Sequence, residues 1–241
     1  MSSHRLVAHR GHPARHPENS IAGLQSAAAA GAHFVEIDLQ CSADGTLWLF
    51  HDPGLLRLTG RSGSIESTTD ARLAELQLLA PPGGRNEPLA RLTDFAKWLA
   101  AAPPELFAFV EVKPEVVERL GAAGALEAVR KDLGPTESRC AVISFALSLL
   151  AETRRVCALP IAPILENWTQ LQSDELLGLE PESIFVNTKH VPPGPLPQAT
   201  WDWIVYETVD PRVAADYLQR GVHLVETFDY PTMSAALETG A

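Results

Sequence analysis

Short apolar or β-branched runs alternate with helix-patterned stretches along the whole chain, the arrangement expected of βα units around a parallel sheet. The runs predict strands at 5–9, 34–39, 46–51, 107–113, 140–144, 161–165, 183–186, 203–206 and 222–226. Nine strands exceed a barrel of eight by one. Asp44-Gly45, a pair suited to a two-residue turn, lies between the second and third runs, so 46–51 is expected to return antiparallel and leave eight parallel strands. Helices are predicted at 21–30, capped by Asn19 or Ser20 and ended by Gly31, and at 93–101, 116–131, 146–155, 171–179, 213–220 and 232–238. The proline-rich connection between Val186 and Trp203 predicts no helix. No repeat or linker interrupts the pattern, and Pro81-Pro82 and Gly83-Gly84 mark a loop within a long excursion. The expectation is a single α/β domain over residues 1–241, a (β/α)₈ TIM barrel with a hairpin-containing insertion at about 40–92.

Composition agrees with that size. The 241 residues are 46% hydrophobic, enough for a barrel of about 250 residues. The net charge of −11 comes without any Lys/Arg cluster, so a nucleic-acid backbone would be repelled. The N-terminus turns polar before the roughly 7 to 15 apolar residues of a leader, and no apolar run reaches the about 18 needed to span a bilayer. A cytoplasmic protein without membrane insertion is therefore expected. Cys41, Cys140 and Cys157 show no CxxC spacing and are expected to be reduced, buried thiols.

Candidate chemistry follows from where the strands end, because barrel enzymes build their sites at the carboxyl ends of the strands. The first strand ends in His9-Arg10-Gly11. Along the second, period-2 alternation separates Val35, Ile37 and Leu39 from Phe34, Glu36 and Asp38. The run 107–113 repeats this, with Phe109, Glu111 and Lys113 facing the lumen and Ala108, Val110 and Val112 facing the helices. Three carboxylates and a lysine thus converge at the barrel mouth. Each uncompensated buried charge costs several kcal/mol, so one divalent cation is predicted, and oxygen ligands favour Mg²⁺ or Ca²⁺ over zinc. The competing structural reading is an internal ion-pair network with Arg10 and Lys113.

With Asp44 and Gly45 as the two loop residues, His51 is expected directly opposite Asp38, Cβ atoms about 5 Å apart. Two histidines, His9 and His51, then share one mouth with the acidic cluster. Phosphoryl transfer wants one group to take a proton and another to supply one. His4, His12, His16, His33, His190 and His223 lack such company and read as surface or structural residues.

His9-Arg10-Gly11, Pro17-Glu18-Asn19-Ser20, Glu36-Ile37-Asp38, Asp44-Gly45, His51-Asp52 with Leu56-Arg57-Leu58-Thr59-Gly60, Glu111-Val112-Lys113 and Ser144-Phe145 occur in that order. This succession resembles the glycerophosphodiester phosphodiesterases from about residue 5 to about 231. The resemblance implies a (β/α)₈ barrel with an insertion after the second strand. It also implies metal-dependent hydrolysis of glycerophosphodiesters to glycerol 3-phosphate and an alcohol. Carried over residue by residue, Glu36, Asp38 and Glu111 would hold Mg²⁺ or Ca²⁺, His9 and His51 would be the catalytic acid/base pair, and Arg10 and Lys113 would bind the phosphate. Glu18, Phe145 and Glu207 would belong to the substrate pocket, Glu18-Asn19 having helix capping as an alternative role, and Arg57 would pin the insertion. The chain departs from the family where Glu207-Thr208-Val209 replaces a usual tryptophan, a change expected to favour a cationic or polyhydroxyl head group, and where Thr227-Phe228-Asp229-Tyr230-Pro231 carries an extra residue. With no protein nucleophile among the motifs, the substrate's own 2-hydroxyl is expected to attack and give a cyclic phosphate. The alternatives are a barrel phosphodiesterase acting on another phospholipid-derived or sugar diester, and an inactive barrel serving as a binding protein.

Overall fold

The fold is described for residues 5–239 of a computed structural model; His4 lies outside them. Eight parallel strands run in chain order: β1 (Leu6–Ala8), β2 (Phe34–Cys41), β3 (Phe107–Val112), β4 (Cys140–Ser144), β5 (Ile161–Leu165), β6 (Ser183–Asn187), β7 (Asp202–Tyr206) and β8 (Leu224–Thr227). Each pairs with its neighbours in sequence. β1 closes the ring by pairing with both β2, through Val7 opposite Phe34, and β8, through Val7 opposite Glu226. The molecule is a (β/α)₈ TIM barrel.

The alternation in the sequence becomes two apolar layers. Val35, Ile37, Leu39, Ala108, Val110 and Val112 pack outward against the helices. Val7, Phe109, Ala141, Ile143, Ala162, Ile164, Phe185 and Ile204 fill the lumen, and the buried charged residues Glu36, Asp38, Glu111, Lys113 and Glu226 lie towards the end where the strands finish. Helices at Ile21–Ala29, Leu92–Ala101, Leu147–Val156, Pro211–Gln219 and Tyr230–Thr239 match the amphipathic stretches, as does Pro114–Leu133, which is broken at Gly121. Of the two candidate caps on the first helix, Ser20 is the one used. Its hydroxyl accepts from the Gly23 amide at 3.1 Å and donates to the Pro17 carbonyl at 2.7 Å, which leaves the Asn19 side chain available elsewhere.

Two expectations are corrected. Instead of one helix over 171–179 there is a 3₁₀ turn at Trp168–Gln172 and a single helical turn at Asp174–Leu177. Asn167 and Ser173 each accept from an amide just ahead of them, so local capping divides the segment.

The other correction is the hairpin register. Leu39 faces Leu49, Gln40 faces Trp48 and Cys41 faces Leu47, while Ser42 N donates to Thr46 O at 2.9 Å. The loop is therefore Ala43-Asp44-Gly45, with Gly45 at φ +87°, the three-residue form that needs a left-handed last residue. One extra loop residue shifts every pair by one. Phe50, not His51, comes opposite Asp38, its amide donating to the Asp38 carbonyl at 3.0 Å.

The excursion between Cys41 and Leu92 also contains short helices at Leu56–Thr59 and Asp70–Leu73 and a second hairpin, Gln77–Leu78 with Glu87–Pro88. It has its own apolar cluster of Trp48, Phe50, Leu55, Leu58, Ile65, Leu73, Leu76, Leu78 and Leu89. Between β6 and β7 only a 3₁₀ turn, Thr188–His190, is formed, in line with its prolines. The three cysteines are free. Among the described residues no helix is long and apolar enough to cross a membrane.

Candidate active site

β1 ends at Ala8, and the next residue, His9, is buried at the barrel mouth. Its ring stacks on Phe228 with centroids 4.6 Å apart. Nε2 lies 3.6 Å from Glu36 Oε2, and Nδ1 lies 3.7 Å from Glu207 Oε2 and 3.8 Å from Glu226 Oε2. Arg10 follows with a positive φ of 55°, which turns its amide onto Glu36 Oε2 at 3.1 Å. Its Nε lies 2.9 Å from Asp38 Oδ2, and Nη1 donates to Glu18 Oε1 at 3.0 Å.

β2 presents Glu36 and Asp38, and β3 presents Glu111, with Lys113 just beyond it. Lys113 Nζ is 2.6 Å from both Asp38 Oδ1 and Glu111 Oε1. Asn19 completes the shell around Asp38: Nδ2 donates to Oδ2 at 2.8 Å, and the Asp38 amide donates to Asn19 Oδ1 at 3.1 Å. Carboxylate oxygens of Glu36, Asp38 and Glu111 lie within 4.8 Å of one another.

His51 reaches the same mouth although the ladder has ended at Leu49. Its carbonyl accepts from Gln40 Nε2 at 3.2 Å, and its Nδ1 is 2.7 Å from Asp52 Oδ1. Arg57 donates to both oxygens of Asp52 at 2.6 Å and to both of Glu18 at 2.7 and 2.9 Å. A continuous chain of charge-assisted bonds thus runs from the β1 loop through Glu18 and Arg57 to His51, and Arg57 pins the insertion as expected.

Burial and neighbouring charge set the protonation states. Burial, then Asp38, Glu226 and Glu111, push the Glu36 carboxyl well above its usual range. Burial raises Glu111 to about 7 even though Lys113 opposes it. Burial acts upward on Asp38 too, but Lys113 and Arg10 overcome it and hold this carboxyl far below the carboxylate range. Burial, helped by Arg10, lowers His9 well below an ordinary histidine, and burial lowers His51. Burial thus favours the neutral form of both imidazoles in the free chain.

These features test the fit of a cation. Four buried carboxylates, Glu36, Asp38, Glu111 and Glu226, face the two cations Arg10 and Lys113. Glu36 Oε1 and Glu226 Oε1 are buried without a hydrogen-bond partner, which is costly for an ionised group. A hard dication held by Glu36, Asp38 and Glu111 would remove that imbalance. The ion-pair network with Arg10 and Lys113 is also present; it pairs with Asp38 and Glu111 and leaves Glu36 Oε1 and Glu226 Oε1 without a partner.

His9, Arg10, Glu36, His51, Glu111, Lys113, Phe145 and Glu207 line one pocket, with Asp38 beneath it and Glu18 bonded behind Arg10. A larger groove of about 540 Å³ between Leu126 and Val156 holds no such convergence, its Arg130 being paired with Glu137. His12 is structural, bridging Ser26 Oγ at 2.9 Å and Asp229 at 3.3 Å. His223 accepts from the Trp203 amide. The sequence reading missed Glu226, Tyr206, Gln40 and Asp52. The period-2 rule that selected Glu36 and Asp38 also selects Glu226 in the strand predicted at 222–226. Gln40 and Asp52 act through contacts that no spacing rule announces.

Comparison with known proteins bears on family and fold. An uncharacterized Mycobacterium tuberculosis protein is 28% identical over 137 residues, 49% of this chain and 46% of that protein. A Bacillus altitudinis glycerophosphodiester phosphodiesterase is 35% identical over 65 residues, 27% of this chain and 26% of that enzyme. The chain therefore matches less than half the length of each of these relatives. In fold it is similar to an Oleispira antarctica phosphodiesterase solved in complex with the product sn-glycerol-3-phosphate, with a TM-score of 0.82, 20% identity, and coverage of 99% of this chain and 100% of the other. Residues 9–192 match the glycerophosphoryl diester phosphodiesterase family, and the chain belongs to that family.

Proposed function

We propose that the chain hydrolyses glycerophosphodiesters to glycerol 3-phosphate and an alcohol, using one divalent cation, Mg²⁺ or Ca²⁺. The observation that carries this is the convergence of His9 and His51 on the Glu36–Asp38–Glu111 cluster in a single pocket. Glu36, Asp38 and Glu111 would hold the cation, which when bound polarises phosphoryl oxygens and offsets developing negative charge. Arg10 and Lys113 offer N–H donors at the pocket wall to the non-bridging phosphate oxygens.

Acid/base work falls to the histidines. Burial favours the neutral form of both in the free chain, which suits the histidine that acts as base; the other must carry one proton, favoured by the anionic diester bound beside it, to act as acid. Asp52 accepts from His51 Nδ1, which leaves Nε2 as the lone-pair atom and fixes the ring. One histidine takes the proton of the substrate's 2-hydroxyl as it attacks phosphorus, and the other protonates the departing alcohol. Water then opens the cyclic phosphate with the roles reversed. Holding the 2-hydroxyl beside phosphorus makes the attack intramolecular, an advantage of several kcal/mol.

A coupled glycerol 3-phosphate assay tests the reading on glycerophosphocholine, glycerophosphoethanolamine and glycerophosphoglycerol with Mg²⁺ or Ca²⁺. Release of glycerol 3-phosphate is expected, and no release from any diester with either ion contradicts it. A diester whose 2-hydroxyl is replaced by hydrogen should bind without being cleaved. Rapid cleavage of that analogue would exclude the cyclic route.

A further inference from the structure

Glu36 faces the Nε2 edge of His9, and a second pair of carboxylates gathers at the Nδ1 edge. Glu226 lies in β8 with its side chain 3% exposed, Oε2 3.8 Å from His9 Nδ1 and Oε1 without a hydrogen-bond partner. Glu207, just past β7, brings Oε2 to 3.7 Å from the same nitrogen and is 37% exposed. Neither belongs to the three-carboxylate group that suits the metal. Arg10 and Lys113 are engaged by Asp38, Glu18 and Glu111. Among the described residues, the basic group within ion-pair reach of Glu226 is His9, at 3.8 Å.

A buried carboxyl oxygen without a partner suits a cation that arrives with the ligand and draws the group into its ionised form. The rest of the pocket wall says which kind. Phe145, Phe185 and Tyr206 line it together with Ile143 and Ile164. Aromatic rings and carboxylates lining one pocket are surroundings that suit an organic ammonium, since ring faces attract the charge and tolerate its methyl or methylene groups. A small hydrated inorganic ion gains nothing from the rings. A neutral alcohol offers the Glu226 carboxyl no charge to pair with, and an anionic one is repelled by the carboxylates around it.

We propose that Glu226, assisted by Glu207, makes the leaving-alcohol end of the pocket selective for an ammonium-bearing alcohol, so that diesters with a cationic head are the preferred substrates. The inference rests on the hydrolytic reading above and goes beyond it by naming the substrate class and Glu226 as its determinant.

The test compares kcat/KM for three glycerophosphodiesters: choline, ethanolamine, and 3,3-dimethylbutanol, the neutral carbon isostere of choline. Wild type should prefer the choline ester over the isostere by at least about tenfold, and the ethanolamine arm shows whether a primary ammonium serves equally. Glu226→Gln should bring the choline-to-isostere ratio close to one, and Glu207→Gln should lower it less, because its carboxylate is partly in water. A ratio is read, so a general loss of activity in either variant does not mimic the result. Choline itself should inhibit wild type more strongly than 3,3-dimethylbutanol does, a measurement that needs no variant to fold.

Equal kcat/KM for choline ester and isostere in wild type overturns the inference and leaves the hydrolytic reading intact. A Glu226→Gln variant that keeps the ratio but binds Mg²⁺ more weakly by calorimetry overturns it in favour of a metal-ligand role. If none of the three diesters is cleaved, the hydrolytic reading falls and takes this inference with it.

Discussion

His9 is clamped among Glu36, Glu207, Glu226 and the Phe228 ring, whereas His51 is a third exposed and held through Asp52. Replacing either by alanine is expected to lower kcat by at least about 10²-fold, measured by steady-state kinetics with folding checked by circular dichroism. Near-wild-type turnover in either variant would remove that histidine from the mechanism. Asn19 provides a stability counterpart. It both donates to and accepts from fully buried Asp38, so Asn19→Ala should destabilise by about 2 kcal/mol in urea unfolding, and an unchanged midpoint would contradict that role. At this scale the sequence was most legible where a lumen-facing position carries a charge, as at Glu36, Asp38, Glu111 and Lys113. Asn19 was ambiguous because capping and site roles share one short motif, and only the three-dimensional contacts assign the cap to Ser20.

Elements were legible where hydrophobic period and length agreed, which covers all eight barrel strands. The hairpin shows where such reading stops. Asp44-Gly45 announces a turn, but whether the loop has two or three residues depends on whether Ser42 and Thr46 pair, and that single residue decides what faces Asp38. His51 arrives correctly because the strand has ended and Gln40 ties down its backbone.

Gly11 and Gly45 both have positive φ, yet their surroundings differ. A Cβ on Gly45 meets nothing within 4 Å, whereas one on Gly11 would lie 2.8 Å from the backbone carbon of Gly23 and nitrogen of Leu24. Gly45→Ala should therefore cost only the left-handed strain, about 1 to 2 kcal/mol. Gly11→Ala should cost clearly more, because the loop after β1 would be pushed off the first helix. Chemical denaturation of the two variants checks this order, and equal midpoints would contradict it.

For the molecule as a whole, the net charge of −11 said little about the site, since what matters is the local excess of buried carboxylate. That excess links stability, pH and cation. Glu111 shifts from an ordinary 4.5 to about 7, so through that interval the folded chain keeps a proton that the unfolded chain has released. Without a cation, stability should accordingly be greatest at the acid end of this window and fall as pH rises through it. Glu36 and Glu226, raised by burial in the same direction, add to the trend and carry it above pH 7, whereas His9 and His51, lowered by burial, oppose it only up to their unfolded value of 6.5. A bound cation favours the ionised carboxylates, so Mg²⁺ affinity should rise over the same interval and Mg²⁺ should flatten the decline. Melting temperatures from pH 5 to pH 8, with EDTA and with Mg²⁺, check both signs. A metal-free chain that grows more stable from pH 7 to pH 8, where the histidines no longer contribute, would contradict the assignment of protonated buried carboxyls.

The central claim is that Glu36, Asp38 and Glu111 hold the cation on which diester cleavage depends. It is tested most directly by stripping the chain with EDTA, removing the chelator, and following glycerol 3-phosphate release while Mg²⁺ or Ca²⁺ is titrated back. The account predicts no turnover in the stripped chain, recovery that saturates at one ion per chain, and failure of Glu36→Gln, Asp38→Asn and Glu111→Gln to recover at the same ion concentration. Full turnover in a rigorously metal-free sample would contradict it.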